Sequence, residues 1–175
     1  KLQTAFIKDE PLANKLTEDI NEMEKMLNEY LQFTSSSFVE KDELFDLSRL
    51  MNEIIMKYNN ENILKNIPSE IYFNGRKNLI KRCLNNLIDN SFKYGKKLNI
   101  ELSKKKMSLV IKVEDDGPGI PESEHENVFK PFYKIDKGRA ESKSSVGLGL
   151  SIASDIVRSH GGNIKLDKSS LNGLE

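Results

Sequence analysis

The stretch VEDDGPGIPE, residues 113–122, combines acids, glycines and prolines in one short segment. It follows Met107 to Val113, where apolar and polar side chains alternate as in a half-buried strand. Gly117 and Gly119 permit backbone conformations that are closed to other residues, so a flat ligand can approach the main chain. An EF-hand loop is excluded, because Lys112 would then be its first ligand. A plain turn and the wall of a nucleotide site both remain.

Composition limits the function to a local binding site. The 175 residues contain 27 Lys and Arg against 27 Asp and Glu, so no overall charge attracts nucleic acid or an anionic membrane. The single cysteine, Cys83, excludes an internal disulfide. No apolar run is long enough for a transmembrane helix, and no signal peptide is visible. We interpret the chain, which begins at Lys1 and stops in a predicted strand, as a fragment of a larger protein.

The pattern of residues along the chain predicts an α+β fold. We expect helices at Leu47 to Tyr58, Asn78 to Tyr94 and Gly147 to His160, and strands within residues 70–75 and at Leu98 to Leu102, Met107 to Val113 and Asn163 to Leu166. These elements do not alternate regularly as β-α-β. The order therefore favours a sandwich with helices on one face of a mixed or antiparallel sheet.

The first part of the chain has the spacing of a helical bundle. Its apolar positions recur at steps of four and three, the heptad pattern, at Leu16, Ile20, Met23, Leu27 and Tyr30. Such a narrow seam cannot bury itself, so we expect it to pack against Leu2 to Ile7 and against other helices. We predict a helical hairpin over residues 1–38 and a separate domain over residues 39–175. An ordinary amphipathic helix on the main domain is the alternative.

The helix NLIKRCLNNLIDNSFKYG, residues 78–95, has an apolar stripe and an opposite polar face. Asn86, Asn90 and Lys93 lie within about 60° of each other on that face, at 100° per residue. The two amides offer oxygens to a hard metal ion, and the amides and cation offer donors to phosphate. A merely solvated face is the alternative.

A second glycine-rich segment is SVGLGLSIASDIVRSHGG, residues 145–162. Gly147 and Gly149 introduce a helix whose unpaired N–H groups and dipole favour phosphate. The segment is neither a P-loop nor a Rossmann fingerprint. Before it lies FKPFYKIDKGRAESKSS, residues 129–145, an aromatic pair and a cationic loop that suit a mobile lid.

In this order the segments resemble the ATP-binding domain of sensor histidine kinases, within the GHKL superfamily of gyrase-type ATPases. NLIDNSFKYG, from Asn86, looks like the N box, DDGPGI the G1 box, FKPFYK the F box and VGLGL the G2 box. The resemblance implies a two-layer α/β sandwich of the GHKL (Bergerat) type, truncated at its C-terminal end and preceded by a partial helical hairpin. The hairpin and the short lid are most similar to the osmolarity-sensor type of kinase.

The resemblance also implies roles for individual residues. Asp115 would accept a hydrogen bond from the adenine amino group, and Asn90 would coordinate Mg²⁺ on the phosphates of ATP. The remaining expected ligands line the base (Tyr94, Gly117, Gly119, Ile120), assist at the phosphates (Asn86, Lys93), anchor or supply the lid (Phe129, Phe132, Lys134) and form the phosphate-facing helix start (Gly147, Leu148, Gly149, Leu150). We expect Asp116 to be a solvent-side or turn-capping acid.

The sequence departs from the family pattern in two places. Ser145 stands where the family usually has the first glycine of the G2 box. The phosphoacceptor histidine is missing, since we expect His125 on a surface helix and His160 as a cationic cap at a helix end. The fragment is therefore expected to bind ATP without phosphorylating itself.

The resemblance implies the cytoplasmic catalytic part of a bacterial two-component kinase anchored in the inner membrane. The whole protein would pass the γ-phosphoryl group of ATP to its own histidine and then to an aspartate on a response-regulator receiver domain. It would form a homodimer through the helical bundle. The alternatives are a GHKL clamp ATPase and a non-catalytic module that retains only the fold.

Overall fold

The computed structural model describes residues 11–12, 14–21, 23–24, 27, 40–58, 61–106, 108–135 and 146–175. Several sequence predictions fall outside these residues: the packing of Leu2 to Ile7, Tyr30 in the heptad seam, and the mobile loop with Ser145. The described residues between 11 and 27 are helical. Leu16, Met23 and Leu27 of the predicted seam are exposed there. The division at residue 38 stays a prediction.

Three helices and five strands follow in the described part of the chain. The strands are β1 (Glu43–Asp46), β2 (Ile63–Asn66), β3 (Tyr72–Gly75), β4 (Leu98–Lys105) and β5 (Ser108–Asp115), and the helices are α1 (Leu47–Tyr58), α2 (Lys77–Tyr94) and α3 (Gly149–Ser159). β1 pairs with β3 antiparallel, while β4 pairs with β2 in parallel and with β5 antiparallel. The predicted mixed sheet is therefore confirmed.

Buried and more exposed side chains alternate along β4, so one face of the sheet packs against the helices. Leu98, Ile100 and Leu102 are almost fully buried and pack with α1 and α2. The register places Ile100 opposite Val113 and Leu98 opposite Asp115. As a result β5 emerges from the core at Asp115, and the glycine-rich stretch starts at the edge of the sheet.

Helix α2 contributes to two apolar clusters. Leu84 and Ile88 face the sheet core, while Leu79 and Cys83 pack against α3 through Ile152 and other residues. Burial raises the pKa of the Cys83 thiol to about 12. α2 therefore joins the sheet to α3 and fixes the spacing of the two helices.

Three sequence predictions need correction. β1 and β2 lie in segments without a predicted strand, and α3 begins at Gly149 rather than Gly147. The predicted strand from Asn163 to Leu166 is wrong, because no strand is assigned there. Asp167 and Glu175 instead exchange two backbone hydrogen bonds and Lys168 forms a bridge with Leu174, so the antiparallel pairing in this part of the described chain involves residues after Leu166.

None of the helices in the described residues is long and apolar enough to span a lipid bilayer.

Candidate functional site

The carboxylate of Asp115 is buried at the end of β5 and is held in a fixed direction. Only 4% of the residue is exposed. Its Oδ1 atom accepts hydrogen bonds from the N–H of Gly117 at 2.9 Å and of Leu174 at 3.2 Å. Within the described ranges no group donates to Oδ2. One oxygen is therefore fixed by the main chain, and the other remains able to accept from a ligand.

The C-terminal end of α2 packs directly on the loop after Asp115. A Cβ atom added to Gly117 would lie 3.1 Å from the carbonyl oxygen of Tyr94, so the helix end and the loop are in contact. Asp116 accepts from the N–H groups of Lys97 at 2.8 Å and Lys96 at 2.6 Å, and these bonds lower the pKa of its carboxyl. The prediction that Asp116 caps a turn is confirmed.

A turn near the C-terminus closes over the same loop, and sequence reasoning missed it. Asp115 and Leu174 form two hydrogen bonds. The Asp115 N–H donates to the Leu174 carbonyl oxygen, and the Leu174 N–H donates to Oδ1 of Asp115. A Cβ on Gly173 would collide with the carbonyl oxygen of Asp115 and lie 2.6 Å from the nitrogen of Gly117. Only a residue without a side chain fits between these atoms. The available signal was the Asn172-Gly173 pair, which is typical of a tight turn.

Buried Glu114 ties this turn to the sheet. Its carboxylate accepts from the Ser170 N–H at 3.0 Å and from the Asn99 amide at 2.9 Å. Burial alone would raise the pKa of Glu114, but these donors and the nearby Lys112 ammonium lower it overall. The turn that carries Gly173 is thus hydrogen-bonded to two neighbouring residues of β5, Glu114 and Asp115.

The polar face of α2 presents the predicted side chains in one row. Asn86 and Asn90 are half-buried, and the Nδ2 atom of Asn86 is enclosed but has no hydrogen-bond partner in the described residues. No described residue hydrogen-bonds the Asn90 side chain. At the end of the row, the Lys93 ammonium lies 3.0 Å from the Tyr94 hydroxyl and 4.7 Å from the centre of its ring. The ring of Tyr94 is 54% exposed beside the loop.

Helix α3 starts against this row. Gly147 has a φ of +79° and its carbonyl accepts from the Phe132 N–H at 2.9 Å, which turns the chain into the helix. A Cβ on Gly149 would lie 4.0 Å from that of Asn86. Leu148 is buried in the apolar cluster between the helices, so it contributes only main-chain atoms to the helix start.

A cleft of about 360 Å³ opens between α2 and α3 next to Asn86. It is lined by Asn78, Lys81, Arg82, Asn85, Asn86, Gly149 and Ile152. Sequence reasoning identified only Asn86 and Gly149 among these residues. The missed signal was the four-residue spacing of Asn78, Arg82 and Asn86, which continues the row toward the start of α2.

The aromatic segment before α3 is fixed by two short 3-10 turns. The Tyr133 hydroxyl donates to the Glu124 carboxylate at 2.5 Å, and Val128 is the buried residue of the segment. Phe129 and Lys134 are half-buried, whereas the ring of Phe132 is 54% exposed. Phe132 therefore holds the start of α3 through its backbone rather than through its ring.

Neither histidine matches its predicted setting fully. His125 follows a 3-10 turn rather than lying on an α-helix, and its Nε2 atom is 3.1 Å from the carbonyl oxygen of Ile120. His160 caps the end of α3 as predicted, with its Nδ1 atom 2.7 Å from the Ile156 carbonyl oxygen, but its Nε2 accepts from the Arg76 N–H at 3.1 Å. A protonated Nε2 cannot accept, so the ring is neutral in this arrangement and the cationic cap is corrected.

The structure brings most of the predicted residues to one side of the molecule. Asp115, Gly117, Gly119 and Tyr94 meet where β5 and α2 end, and Asn86 meets Gly149 where α3 begins. The α2 helix links these two places, because Asn90 and Lys93 lie on it between Asn86 and Tyr94. We use the word groove for this surface along α2, which has the buried Asp115 carboxylate at one end and the Asn86 amide and the N–H groups of the α3 start at the other.

These features define an α+β sandwich with a polar groove along one helix, and comparisons with known proteins identify its family. Residues 75–174 match the family described as histidine kinase-, DNA gyrase B- and HSP90-like ATPase. The chain belongs to this family. Its fold matches the catalytic domain of the histidine kinase ThkA with a TM-score of 0.65, at 24% identity over 75% of this chain and 90% of that one.

The similar proteins are sensor histidine kinases. GtrS of Pseudomonas aeruginosa is 31% identical over 99% of this chain, and the chain spans 36% of the length of GtrS. The histidine kinase domain of the E. coli osmosensor EnvZ has a TM-score of 0.57 and 31% identity, over 75% of this chain and 83% of that chain.

Proposed function

We propose that this chain is the ATP-binding catalytic domain of a two-component sensor histidine kinase, with ATP lying along α2. The observation that carries the proposal is the fixed carboxylate of Asp115, whose Oδ1 is satisfied by two main-chain N–H groups while no described group donates to Oδ2. A buried acceptor in this state favours a ligand that brings its own N–H donor.

At the base end, Asp115 accepts a hydrogen bond from the adenine amino group. Gly117 and Gly119 allow the ring to approach the main chain, because neither carries a Cβ atom. Gly119 has a φ of +73°, a conformation that other residues rarely adopt. Tyr94 and Ile120 flank the ring in this proposal, and the packing of the Tyr94 carbonyl against Gly117 supports the position of Tyr94 beside the base.

At the phosphate end, the unpartnered Nδ2 atom of Asn86 donates to a phosphate oxygen. The first turn of α3, from Gly149 with Gly147, Leu148 and Leu150 beside it, adds main-chain N–H groups that no helical carbonyl satisfies. Lys93, three residues after Asn90 on α2, supplies a cation to the phosphates from the other end of the row. An enclosed donor without an acceptor costs free energy, and a phosphate removes that cost.

The residues also fit a magnesium ion bound together with the nucleotide. Mg²⁺ prefers oxygen ligands and usually takes only one or two from protein beside phosphate and water. The Asn90 amide offers such an oxygen, and no described residue hydrogen-bonds it. Asn90 would hold the ion, which supplies charge neutralisation on the phosphates when it is bound.

Phe129, Phe132 and Lys134 form the base of the lid over the phosphates. The Phe132 backbone is bonded to Gly147, so a movement of the lid changes the approach to α3 directly. The protein's part in phosphoryl transfer is then positioning and electrostatic stabilisation, with the γ-phosphoryl group held for attack by an acceptor histidine.

The acceptor histidine lies outside the 175 residues in this proposal. The heptad seam on the N-terminal helix continues into a dimeric bundle that brings that histidine to the cleft. The phosphoryl group then passes to an aspartate of a response-regulator receiver domain. The whole protein is anchored in the inner membrane with this part in the cytoplasm.

Nucleotide titration with and without magnesium tests the proposal. We expect this chain to bind an unhydrolysed ATP analogue more tightly with Mg²⁺ than with EDTA. Asn90→Ala should remove that difference while the affinity in EDTA stays unchanged, and Asn74→Ala on exposed β3 is the matched control. Absence of binding at millimolar nucleotide contradicts the proposal and favours a module that retains only the fold.

Transfer is tested with a version of the chain extended at its N-terminus to include an acceptor histidine. We expect an acid-labile phosphohistidine after incubation with Mg-ATP. ATP hydrolysis without a phosphoprotein would instead point to a clamp ATPase of the same family.

A further inference from the structure

The cleft between α2 and α3 extends beyond the residues that the family motifs identify. The Asp115 loop contacts the C-terminal end of α2, at Tyr94. The cleft lies past Asn86 in the opposite direction, and its α2 wall runs back to Asn78. If one end of a ligand lies at Asp115 and the ligand passes Asn86, its opposite end therefore lies in this cleft.

The spacing on α2 makes the polar row continuous. Asn78, Arg82, Asn86 and Asn90 follow at steps of four, each step about 6 Å along the axis with a drift of about 40°. Lys81 and Asn85 form a second row beside it, also at a step of four. From Asn86 back to Asn78, the cleft thus adds about two helical turns of polar side chains to the proposed nucleotide groove.

The charge of this extension is positive. Lys81 and Arg82 both line the cleft, and the described residues around it include no Asp or Glu. The Lys81 ammonium has no carboxylate partner in the part of the chain that the structure describes. Two cations beside an enclosed, unpartnered amide donor suit an anion with several oxygens.

We propose that Lys81 and Arg82, with Asn85 beside them, bind the terminal phosphate of ATP and make the site prefer ATP to ADP. This inference rests on the proposed function, because it takes the base to lie at Asp115. The first turn of α3 and Asn86 then meet the inner phosphates, and the next group along the row is the third phosphate, which ADP lacks. Lys81 and Arg82 are specificity-determining residues, whereas Asn86 and Asn90 bind both nucleotides.

The test compares two nucleotides on the same chain by isothermal titration calorimetry. Mg-ADP and the unhydrolysed ATP analogue adenylyl imidodiphosphate are titrated into the wild-type chain and into Lys81→Met and Arg82→Gln. We expect each substitution to weaken binding of the ATP analogue about tenfold, the effect of one charge-assisted hydrogen bond, and ADP binding by less than about twofold. Arg82→Lys keeps the charge and should restore most of the preference.

Lys105→Met, at the exposed end of β4, controls for the loss of one positive charge. An unchanged ratio of the two affinities in Lys81→Met and Arg82→Gln overturns the inference, since the terminal phosphate then binds elsewhere. An equal loss for both nucleotides also overturns it, because the cations then act on the whole ligand or on the fold. If the wild-type chain binds neither nucleotide, the proposed function itself fails, which is a different result.

Discussion

The two ends of the groove are built in different ways. At the Asp115 end, backbone groups from β5, the α2 terminus and the turn at Gly173 contact each other, and only residues without a Cβ atom fit between them. At the cleft, long polar side chains project from α2 toward α3, and Gly149 has room around it. The first end depends on main-chain shape, and the second depends on side-chain chemistry.

This difference predicts where substitutions are tolerated. A close-packed backbone cannot move one residue without moving its neighbours, so damage at the Asp115 end should affect stability and binding together. Side chains on a helix can change while the helix remains, so changes at the cleft should alter affinity or selectivity alone. The following substitutions test this contrast, in order of expected effect.

Gly173→Ala should have the largest effect. The added Cβ collides with the carbonyl oxygen of Asp115, so the turn must move and both of its hydrogen bonds to Asp115 are strained or lost. We expect the free energy of unfolding to fall by about 2 kcal/mol and nucleotide binding to weaken at least tenfold. Urea unfolding and nucleotide titration measure the two effects.

Gly149→Ala is the matched glycine control at the other end. Its Cβ would make only ordinary contact with Asn86, at 4.0 Å, and alanine favours a helix. Its unfolding free energy should not fall. Equal loss of stability in both variants would remove the proposed contrast between the two ends.

Asp115→Asn should weaken binding without unfolding the protein. Because Gly117 and Leu174 both donate, the amide oxygen takes the Oδ1 position and the NH₂ group takes the place of Oδ2. That NH₂ would face the adenine amino group, donor against donor. We expect a loss of about 10- to 100-fold in affinity for an ATP analogue, measured by calorimetry.

Asp116→Asn provides the adjacent control. Asp116 caps the turn at Lys96 and Lys97 and is directed away from the buried site of its neighbour. The affinity of the Asp116→Asn variant for nucleotide should remain within about twofold of wild type, a change in binding free energy of well under 1 kcal/mol. A larger loss in Asp116→Asn than in Asp115→Asn would reverse the assignment of the two acids.

The smallest expected effect is a change in the rate at which the Cys83 thiol is labelled, which reports on the packing between α2 and α3 behind the cleft. Its thiol is buried between α2 and α3, and a pKa of about 12 leaves almost no reactive thiolate at neutral pH. We expect labelling by a thiol reagent to require separation of the helices and to slow about two- to tenfold when a saturating nucleotide bridges them. Rapid labelling in the native protein, or labelling unaffected by bound nucleotide, contradicts this expectation.

Much of the fold could be predicted from periodicity because the core imposes it. The helix from Leu47 to Tyr58 has the predicted bounds, and β4 and β5 follow from the alternation around Ile100 and Ile111. β1 and β2 were missed because each has only four residues, too few for a clear two-residue period. Their pairing depends on strands that are distant in the sequence.

The residues of the candidate site also fall into those that could be predicted from the sequence and those that could not. Asn86, Asn90 and Asp115 stand out in the sequence because polar residues interrupt regular elements there. Gly173 gives no comparable signal, since its importance comes from a collision with Asp115 that exists only after folding. The cleft beside Lys81 was also missed, because α3 forms its other wall.

The sequence by itself determined the α+β class and the family motifs, because local spacing fixes which faces of each helix and strand are apolar and where glycines interrupt them. Only the tertiary structure decided which Asp115 oxygen is satisfied by the main chain and how far the polar groove extends along α2. Those properties depend on contacts between residues far apart in the chain, such as Asp115 with Leu174, and a one-dimensional pattern does not contain them.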